Sequence, residues 1–129
     1  MKRFALAVTV IATLLAAAPA TRHGFMGFGF TLHARGKEQW MIVRLVMPGG
    51  PADRAGIKPG DTITLMNGKP IAFTDPVSVF DDFASRRPGE RVTFAVVRNQ
   101  KPLAATVVVG EMSAQDYQRW QRMRPALKP

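Results

Sequence analysis

Apolar and polar residues alternate in short stretches through the middle of the chain, with the period of half-buried β-strands. Residues 39–47 read QWMIVRLVM, a nearly continuous apolar run that predicts a mostly buried strand. Residues 62–66 and 91–98 alternate and have one apolar face each. After a turn at 99–102, residues 103–109 predict a strand that returns beside its predecessor. The pattern predicts a mainly antiparallel β fold.

Two interruptions of this alternation have the features of helices. Pro51 at a first helical position and Gly56 at a left-handed cap predict a helix of one to two turns. Asp75 followed by Pro76 predicts the N-cap and first residue of a longer helix. Three apolar residues share one face of this helix: Val79, Phe80 and Phe83. Asn67-Gly68 predicts a tight hairpin. We therefore expect one mainly β domain with two helices.

The N-terminus differs in composition from the rest of the chain. Lys2 and Arg3 precede an uncharged, apolar run at 4–20 that ends in Ala18-Pro19-Ala20. A basic start, an apolar stretch and a small-x-small end predict a secretory signal peptide over residues 1–20, cleaved before Thr21. An uncleaved membrane anchor is the alternative, since the run of about 17 residues is near the lower limit for a spanning helix. We expect a periplasmic or secreted protein.

Composition excludes several classes of site. The chain has no cysteine, which excludes disulfide scaffolds, thiolate zinc sites, cysteine nucleophiles and lipidation on cysteine. It has two histidines, too few for a site built from several of them. The formal charge is +9, from 18 Lys and Arg against 9 Asp and Glu. We expect no nucleic-acid partner, because the chain has no stacking or groove-reading motif.

Part of the positive charge lies in a tail at 113–129. Its basic residues are Arg119, Arg122, Arg124 and Lys128. The spacing of Tyr117 and Trp120 predicts a short basic helix that frays before Pro125. Two interpretations stay open. The basic face is simply solvated, or it makes a peripheral contact with anionic lipid headgroups or an acidic partner.

A string of alternating glycine and large apolar residues, 24–30 (GFMGFGF), precedes the first predicted strand. Glycine lets successive backbone N–H groups converge into a nest that can hold a carboxylate. Such a loop beside an exposed strand edge is a known way to bind extended peptides. A mobile Gly/Phe-rich segment is the alternative interpretation.

Several motifs in order resemble the PDZ domain. Gly27-Phe28-Gly29-Phe30 resembles its carboxylate-binding loop, and the chain has the small-Pro-Ala…Ala-Gly…Gly-Asp spacing of bacterial PDZ domains at 49–63. Residues 67–71 and 87–98 fit the parts that follow, so the resemblance covers about 24–110. This type of domain is attached to periplasmic heat-shock serine proteases and tail-specific proteases, here without a protease domain.

The resemblance implies a fold and a domain division. The fold is a PDZ-like, five- to six-stranded, partly open antiparallel β-barrel or sandwich with two helices. The signal peptide would be followed by a PDZ-like domain at 21–112 and the tail at 113–129.

The resemblance also implies a peptide site. The carboxylate loop would be Gly27, Phe28, Gly29 and Phe30, with backbone N–H groups of the last three holding a partner's terminal carboxylate. The groove would be lined by Thr31, Leu32, His33, Phe80 and Phe83. A one-residue slip of the helix would bring Val79 or Ala84 into the groove instead. Aromatic walls favour an apolar last residue on the partner.

The sequence contains no recognisable motif for a catalytic nucleophile. Its serines, Ser78, Ser85 and Ser113, lie outside any Gly-x-Ser-x-Gly context, so we expect no enzyme activity, no catalytic residues and no cofactor. We assign no metal site. One metal site stays open as a possibility. Cleavage before Thr21 would give a mature N-terminus of Thr21-Arg22-His23, whose free amine and histidine nitrogen belong to a set of nitrogens that can bind Cu(II) or Ni(II).

We therefore expect an exported, non-catalytic PDZ module that binds extended C-terminal peptides of envelope proteins, as an adaptor or a regulator of a periplasmic protease. The first alternative is a structural interaction domain whose groove is occluded, for example by its own Trp120 tail, and which associates through its surface or basic tail. The second is a relic of a protease subunit.

Overall fold

The structure is a computed structural model that describes residues 22–127. The predicted signal peptide and Thr21 lie outside this range. Within it, no helix combines the length and apolar character needed to cross a bilayer.

Eight strands and three helices follow one another in the described range. The strands are β1 (His23–Phe25), β2 (Phe28–Arg35), β3 (Glu38–Val46), β4 (Thr62–Met66), β5 (Lys69–Pro70), β6 (Arg91–Arg98), β7 (Lys101–Val108) and β8 (Gly110–Met112). The helices are α1 (Pro51–Arg54) between β3 and β4, α2 (Pro76–Ser85) between β5 and β6, and α3 (Ala114–Leu127) after β8.

The strands form two antiparallel sheets. The larger has the order β2-β3-β4-β6-β7, with the short β5 paired to β4, and the smaller pairs β1 with β8. Every strand pair is antiparallel. The predicted mainly antiparallel β architecture is therefore confirmed, and β2 lies at one end of the larger sheet.

Tight turns connect the hairpins at the two predicted places, but the second turn is shorter than the predicted 99–102, since β7 already begins at Lys101. Asn67 and Gly68 both have positive φ, 51° and 79°, which suits the mirror-image turn that matches the twist of paired strands. Asn99 and Gln100, with φ of 51° and 66°, make the corresponding turn between β6 and β7. The predicted hairpin at Asn67-Gly68 is confirmed.

The core lies between the larger sheet and α2. Val92, Phe94 and Val96 of β6 are at most 1% exposed, so the alternation read from the sequence gives the correct inward face. From α2, Val79 is fully buried and Phe83 is 4% exposed. The buried side chains of β6 and α2 pack between the sheet and the helix and so set the distance between them.

The N-terminal end of α2 is held by a capping box. The Ser78 backbone N–H donates to Asp75 Oδ1 at 2.8 Å, and the Asp75 N–H donates to Ser78 Oγ at 3.2 Å. Two otherwise unpaired backbone donors are thereby satisfied. Asp75 is the predicted N-cap, with Pro76 following it as the first helical residue.

The C-terminal helix is longer than the sequence suggests. The expectation that it frays before Pro125 is wrong, because α3 continues through Pro125 to Leu127. Proline has the φ of a helix, but it lacks the N–H that would bond to the carbonyl of residue 121, and its ring crowds that carbonyl. In the last turn this lost bond does not end the helix.

Candidate functional site

The Gly/Phe string runs from the end of β1 through a connection at 26–27 into the start of β2, so Phe28, Gly29 and Phe30 of the predicted loop lie at the start of the strand; we call 24–30 the Gly/Phe loop. The Gly27 carbonyl accepts from the Met47 N–H at 2.8 Å, and the Met26 carbonyl accepts from the Ala52 N–H at 2.9 Å. Met26 is 3% exposed and Phe28 is 6% exposed. The loop is therefore part of the packed domain, and Gly27, with φ of 82°, provides its left-handed turn.

Strand β2 carries the residues predicted for the groove, and it has a free edge. One edge pairs with β3, and the other has no strand partner among residues 22–127. The unpaired N–H and C=O groups of such an edge can pair with an added strand. A bulge between Gly29 and Phe30 interrupts the pairing with β3 where the loop enters the strand.

The face of β2 toward α2 is apolar. Phe30 and Leu32 pack against the hydrophobic core, and both remain partly exposed. The Phe30 ring lies 4.9 Å from the Phe80 ring of α2, measured between centroids, and 6.2 Å from that of Phe83. Residues predicted from two distant segments thus meet between β2 and α2.

Thr31 and His33 lie on the opposite face of β2, as strand alternation requires. Thr31 Oγ1 is 2.8 Å from His33 Nε2, and it accepts from Arg44 Nε at 3.0 Å. The His33 ring stacks on Trp40 across the strand pair, with centroids 5.9 Å apart. This polar, basic face is separate from the apolar face of Phe30 and Leu32.

An apolar cavity of about 140 Å³ lies where the loop meets α2. Among its lining residues are Gly27, Phe28, Phe80 and Phe83, all predicted for the site. Ala84 also lines it, whereas Val79 is fully buried in the core. The helix register therefore places Phe80, Phe83 and Ala84 at the cavity.

Further residues of the cavity wall were not predicted from the sequence as peptide-site residues. They are Gly24, Phe25, Met26 and Met112, together with Trp120, which the sequence analysis names only in its alternative of a groove occluded by the tail. Phe25 and Met26 belong to the same Gly/Phe string, so their hydrophobicity was the available signal. No sequence signal marks Met112 as a site residue, because its position at the cavity depends on the pairing of β8 with β1.

The contact between β1 and α2 depends on glycine. A Cβ atom at Gly24 would collide with the backbone carbonyl oxygens of Phe83 and Arg86. The missing side chain lets β1 lie directly on the end of α2. Gly24 also lines the cavity, so this contact brings β1 into the cavity wall.

Among the side chains that the structure describes, Asp61 is the only charged one that is buried, at 1% exposed. Arg98 holds it with two bonds, Nε to Oδ1 at 2.7 Å and Nη2 to Oδ2 at 2.6 Å, and the Lys58 N–H donates to Oδ2 at 2.8 Å. Burial raises the pKa of this carboxyl, but these donors outweigh it and hold the pKa below its usual value. Such a fully paired carboxylate has a structural role.

Within residues 22–127, no group of three or more potential metal-ligating side chains comes together. The open question of Thr21-Arg22-His23 falls partly outside the described residues. His23 itself lies in β1, where its ring stacks on Tyr117 with centroids 3.4 Å apart and planes within 7°.

Comparison with known proteins identifies the domain. Residues 24–109 match the sequence profile of the PDZ domain. The chain belongs to the PDZ domain family. The matched range includes the loop, β2 and α2, and it ends before β8 and α3.

The sequence relatives of this PDZ domain are proteases. The periplasmic pH-dependent serine endoprotease DegQ of Escherichia coli is 39% identical over 69 residues, which are 53% of this chain and 14% of the protease. The serine endoprotease DegS of Escherichia coli is 33% identical over 99 residues, 70% of this chain and 27% of the protease. The chain thus spans at most 27% of the length of these relatives.

A solved structure shows the same fold. The PDZ domain of HtrA3, bound to the phage-derived ligand FGRWV, superposes with a TM-score of 0.60 at 20% identity. The match covers 78% of this chain and 97% of the HtrA3 domain. The predicted PDZ-like fold is therefore confirmed.

Helix α3 packs against this PDZ domain from outside the matched range. The Trp120 ring lies 4.9 Å from the Phe80 ring, and Tyr117 stacks on His23. Trp120 Nε1 is buried without a hydrogen-bond partner. The tail helix thus meets the groove helix at a residue predicted to bind peptide.

Proposed function

We propose that this PDZ domain captures the C-terminal segments of other exported proteins. The observation that carries the proposal is the free edge of β2 directly beside an apolar cavity formed by the Gly/Phe loop and α2. The HtrA3 PDZ domain, which has the same fold, binds the peptide FGRWV.

In the proposed complex the peptide adds to β2 as a further strand. Its terminal carboxylate accepts hydrogen bonds from the N–H groups of Phe28, Gly29 and Phe30. The last side chain enters the apolar cavity beside Phe83, and Leu32 lies in the groove floor. Thr31 and His33, on the other face of β2, contact peptide side chains that point away from the cavity.

The chemistry of the cavity sets the expected specificity. Its walls are aromatic and aliphatic, so an apolar last residue is favoured and a charged one would lose its hydration without a partner. The short peptide buries a small area, which limits the affinity to roughly micromolar.

The cellular role is an adaptor or a regulator of a periplasmic protease, with no catalytic activity in this chain. The predicted signal peptide and the periplasmic name of the DegQ relative support export. The alternative from the sequence, a relic of a protease subunit, would have the same groove. Binding of peptides by the chain would distinguish a functional module from such a relic.

Peptide selection tests the proposal directly. Random heptapeptide pools, prepared with a free carboxylate or as carboxamides, are passed over the immobilised full chain, and retained peptides are sequenced. We expect retention from the free-carboxylate pool, with an apolar last residue. Amidating a retained peptide is expected to weaken binding by about tenfold or more, because bonds to a charged acceptor are lost. Equal affinity for the amide would refute the carboxylate loop.

A substitution in the loop provides a second test. Gly29→Val presses on the Leu45 side chain, which a Cβ at this position already approaches to 3.0 Å, and distorts the bulge that orients the N–H groups. Leu45 is 60% exposed and can move, so the fold is retained. We expect binding to fall about tenfold. Ala104→Val, at an exposed position of β7, is the control and should bind normally.

A further inference from the structure

Trp120 forms part of the wall of the cavity that the proposed function assigns to the peptide's last side chain. It lines this cavity together with Phe80 and Phe83, and its ring packs on that of Phe80. Phe80 in turn packs on Phe30 of β2, at the same centroid separation of 4.9 Å. Three aromatic rings therefore form a row from the edge strand across α2 to the tail helix.

The contact of Trp120 has an unfavourable component. Its indole N–H is buried and has no acceptor, so closing the tail onto the domain removes a hydrogen bond to water. Much of the surface of α3 is not buried by its contact with the domain, since Gln118, Arg119 and Arg122 are exposed. A contact that combines ring packing with an unpaired donor is suited to opening reversibly.

The helix also has internal support that it keeps when it leaves the domain. The Ser113 carbonyl accepts from the Tyr117 N–H at 2.9 Å, and Ser113 Oγ accepts from the Asp116 N–H at 3.1 Å. Arg119 pairs with Asp116 one turn away. These bonds lie within the tail, so they do not depend on its contact with the rest of the domain.

We propose that α3 is an intramolecular competitor for the terminal-residue pocket, which Trp120 closes and which a bound peptide opens. The inference rests on the proposed function and names its regulation. The occupant lies outside the PDZ match at 24–109, so it is an addition to the domain. The apparent affinity for peptide is then the intrinsic affinity multiplied by the fraction of molecules in which Trp120 has left the pocket.

Affinity gives the first measurement. The pool selection is run on the full chain and on Trp120→Ala, and a tryptophan-free, free-carboxylate peptide retained by either protein is titrated into both. We expect Trp120→Ala to bind about three- to tenfold more tightly, because the competing ring is gone. Met123→Ala is the matched control on the same helix, since Met123 is 48% exposed, and it should bind like the wild type.

Tryptophan emission gives a second, independent measurement. The chain has two tryptophans, so Trp40→Phe leaves Trp120 as the only one. On addition of the peptide, Trp120 emission should shift to longer wavelength and become more accessible to iodide. The carboxamide peptide should cause neither change.

The outcomes separate this inference from the proposed function. Peptide binding with unchanged affinity in Trp120→Ala and unchanged Trp120 emission overturns the competitor and leaves peptide capture intact. Weaker binding by Trp120→Ala also overturns it, because Trp120 would then be part of the binding wall. Binding by Trp120→Ala but not by the wild type supports a fully closed groove. Absence of retained peptides for both proteins overturns the proposed function itself and the competitor with it.

Discussion

At the scale of single residues, the Asp61–Arg98 pair joins two distant parts of the PDZ domain. Asp61 is the last residue of the turn at 58–61, and Arg98 is the last residue of β6. The two hydrogen bonds between their side chains therefore hold the turn against the sheet. The pKa of the Asp61 carboxyl is lowered in the folded state despite its burial. Its ionised form therefore stabilises the fold at pH above the ordinary carboxyl value of 3.8, and this contribution is lost as pH falls through the lower folded-state pKa.

We expect Asp61→Asn to lower the free energy of unfolding at pH 7 by about 2 kcal/mol, because the bonds donated by Arg98 and by the Lys58 N–H lose their charged acceptor. The difference from wild type should begin to narrow as pH falls below 3.8 and should be smallest below the folded-state pKa, where the wild-type carboxyl is also neutral. Urea denaturation at pH 7 and at successively lower pH measures both effects.

The control for this variant is Glu111→Gln. Glu111 pairs with Arg22 at 3.4 Å, and both side chains are more than half exposed, so the pair contributes little. A destabilisation of Asp61→Asn that is equally large at low pH would contradict the role of ionisation.

At the scale of elements, α2 belongs to both the core and the site. Val79 and Phe83 are buried on its inner side, while Phe80 is half-buried at the groove. The capping box at Asp75 and Ser78 fixes where the helix begins. The beginning of the helix sets its register, and the register decides which residues reach the cavity.

We expect Asp75→Ala to lower the free energy of unfolding by about 1 kcal/mol, because the Ser78 N–H loses its acceptor. Thermal and urea denaturation measure the loss. Thr74→Ala, at the exposed neighbouring position, is the control and should stay within about 0.5 kcal/mol of wild type. Equal stability of the two variants would show that packing alone holds the helix start.

At the scale of the whole molecule, the sheet and the tail differ in how they are held. The central strands β4 and β6 contain fully buried residues such as Ile63 and Phe94. Helix α3 meets the domain through ring contacts of Tyr117 and Trp120, and it exposes much of its polar surface. The two parts should therefore open with different free energies.

Hydrogen exchange measured by mass spectrometry tests this difference. Amides of β4 and β6 should exchange through global unfolding, and those of α3 should exchange orders of magnitude faster through local opening. The selected peptide should slow exchange in β2 and α2 and leave α3 at least as fast as before. Protection of α3 equal to that of β6 would contradict separate opening.

The sequence by itself determined the elements whose causes are local. The alternation at 91–98 gave the buried face of β6, Asn67-Gly68 gave a hairpin, and Asp75-Pro76 gave the start of α2. The resemblance to PDZ domains supplied the loop and groove residues, and the structure brings Phe30 and Phe80 together. Neighbouring residues fix the strand face, the hairpin and the helix start through backbone geometry and side-chain period, whereas the meeting of Phe30 and Phe80 depends on the fold.

Only the tertiary structure decided which distant residues meet. Asp61 and Arg98 are 37 positions apart, and their pairing depends on how β4 and β6 align in the sheet. The placement of Trp120 on Phe80, and the continuation of α3 through Pro125, follow from how the chain folds back after β8. Local propensity carries no information on such contacts, because their free energy arises only when the separate surfaces have been brought together.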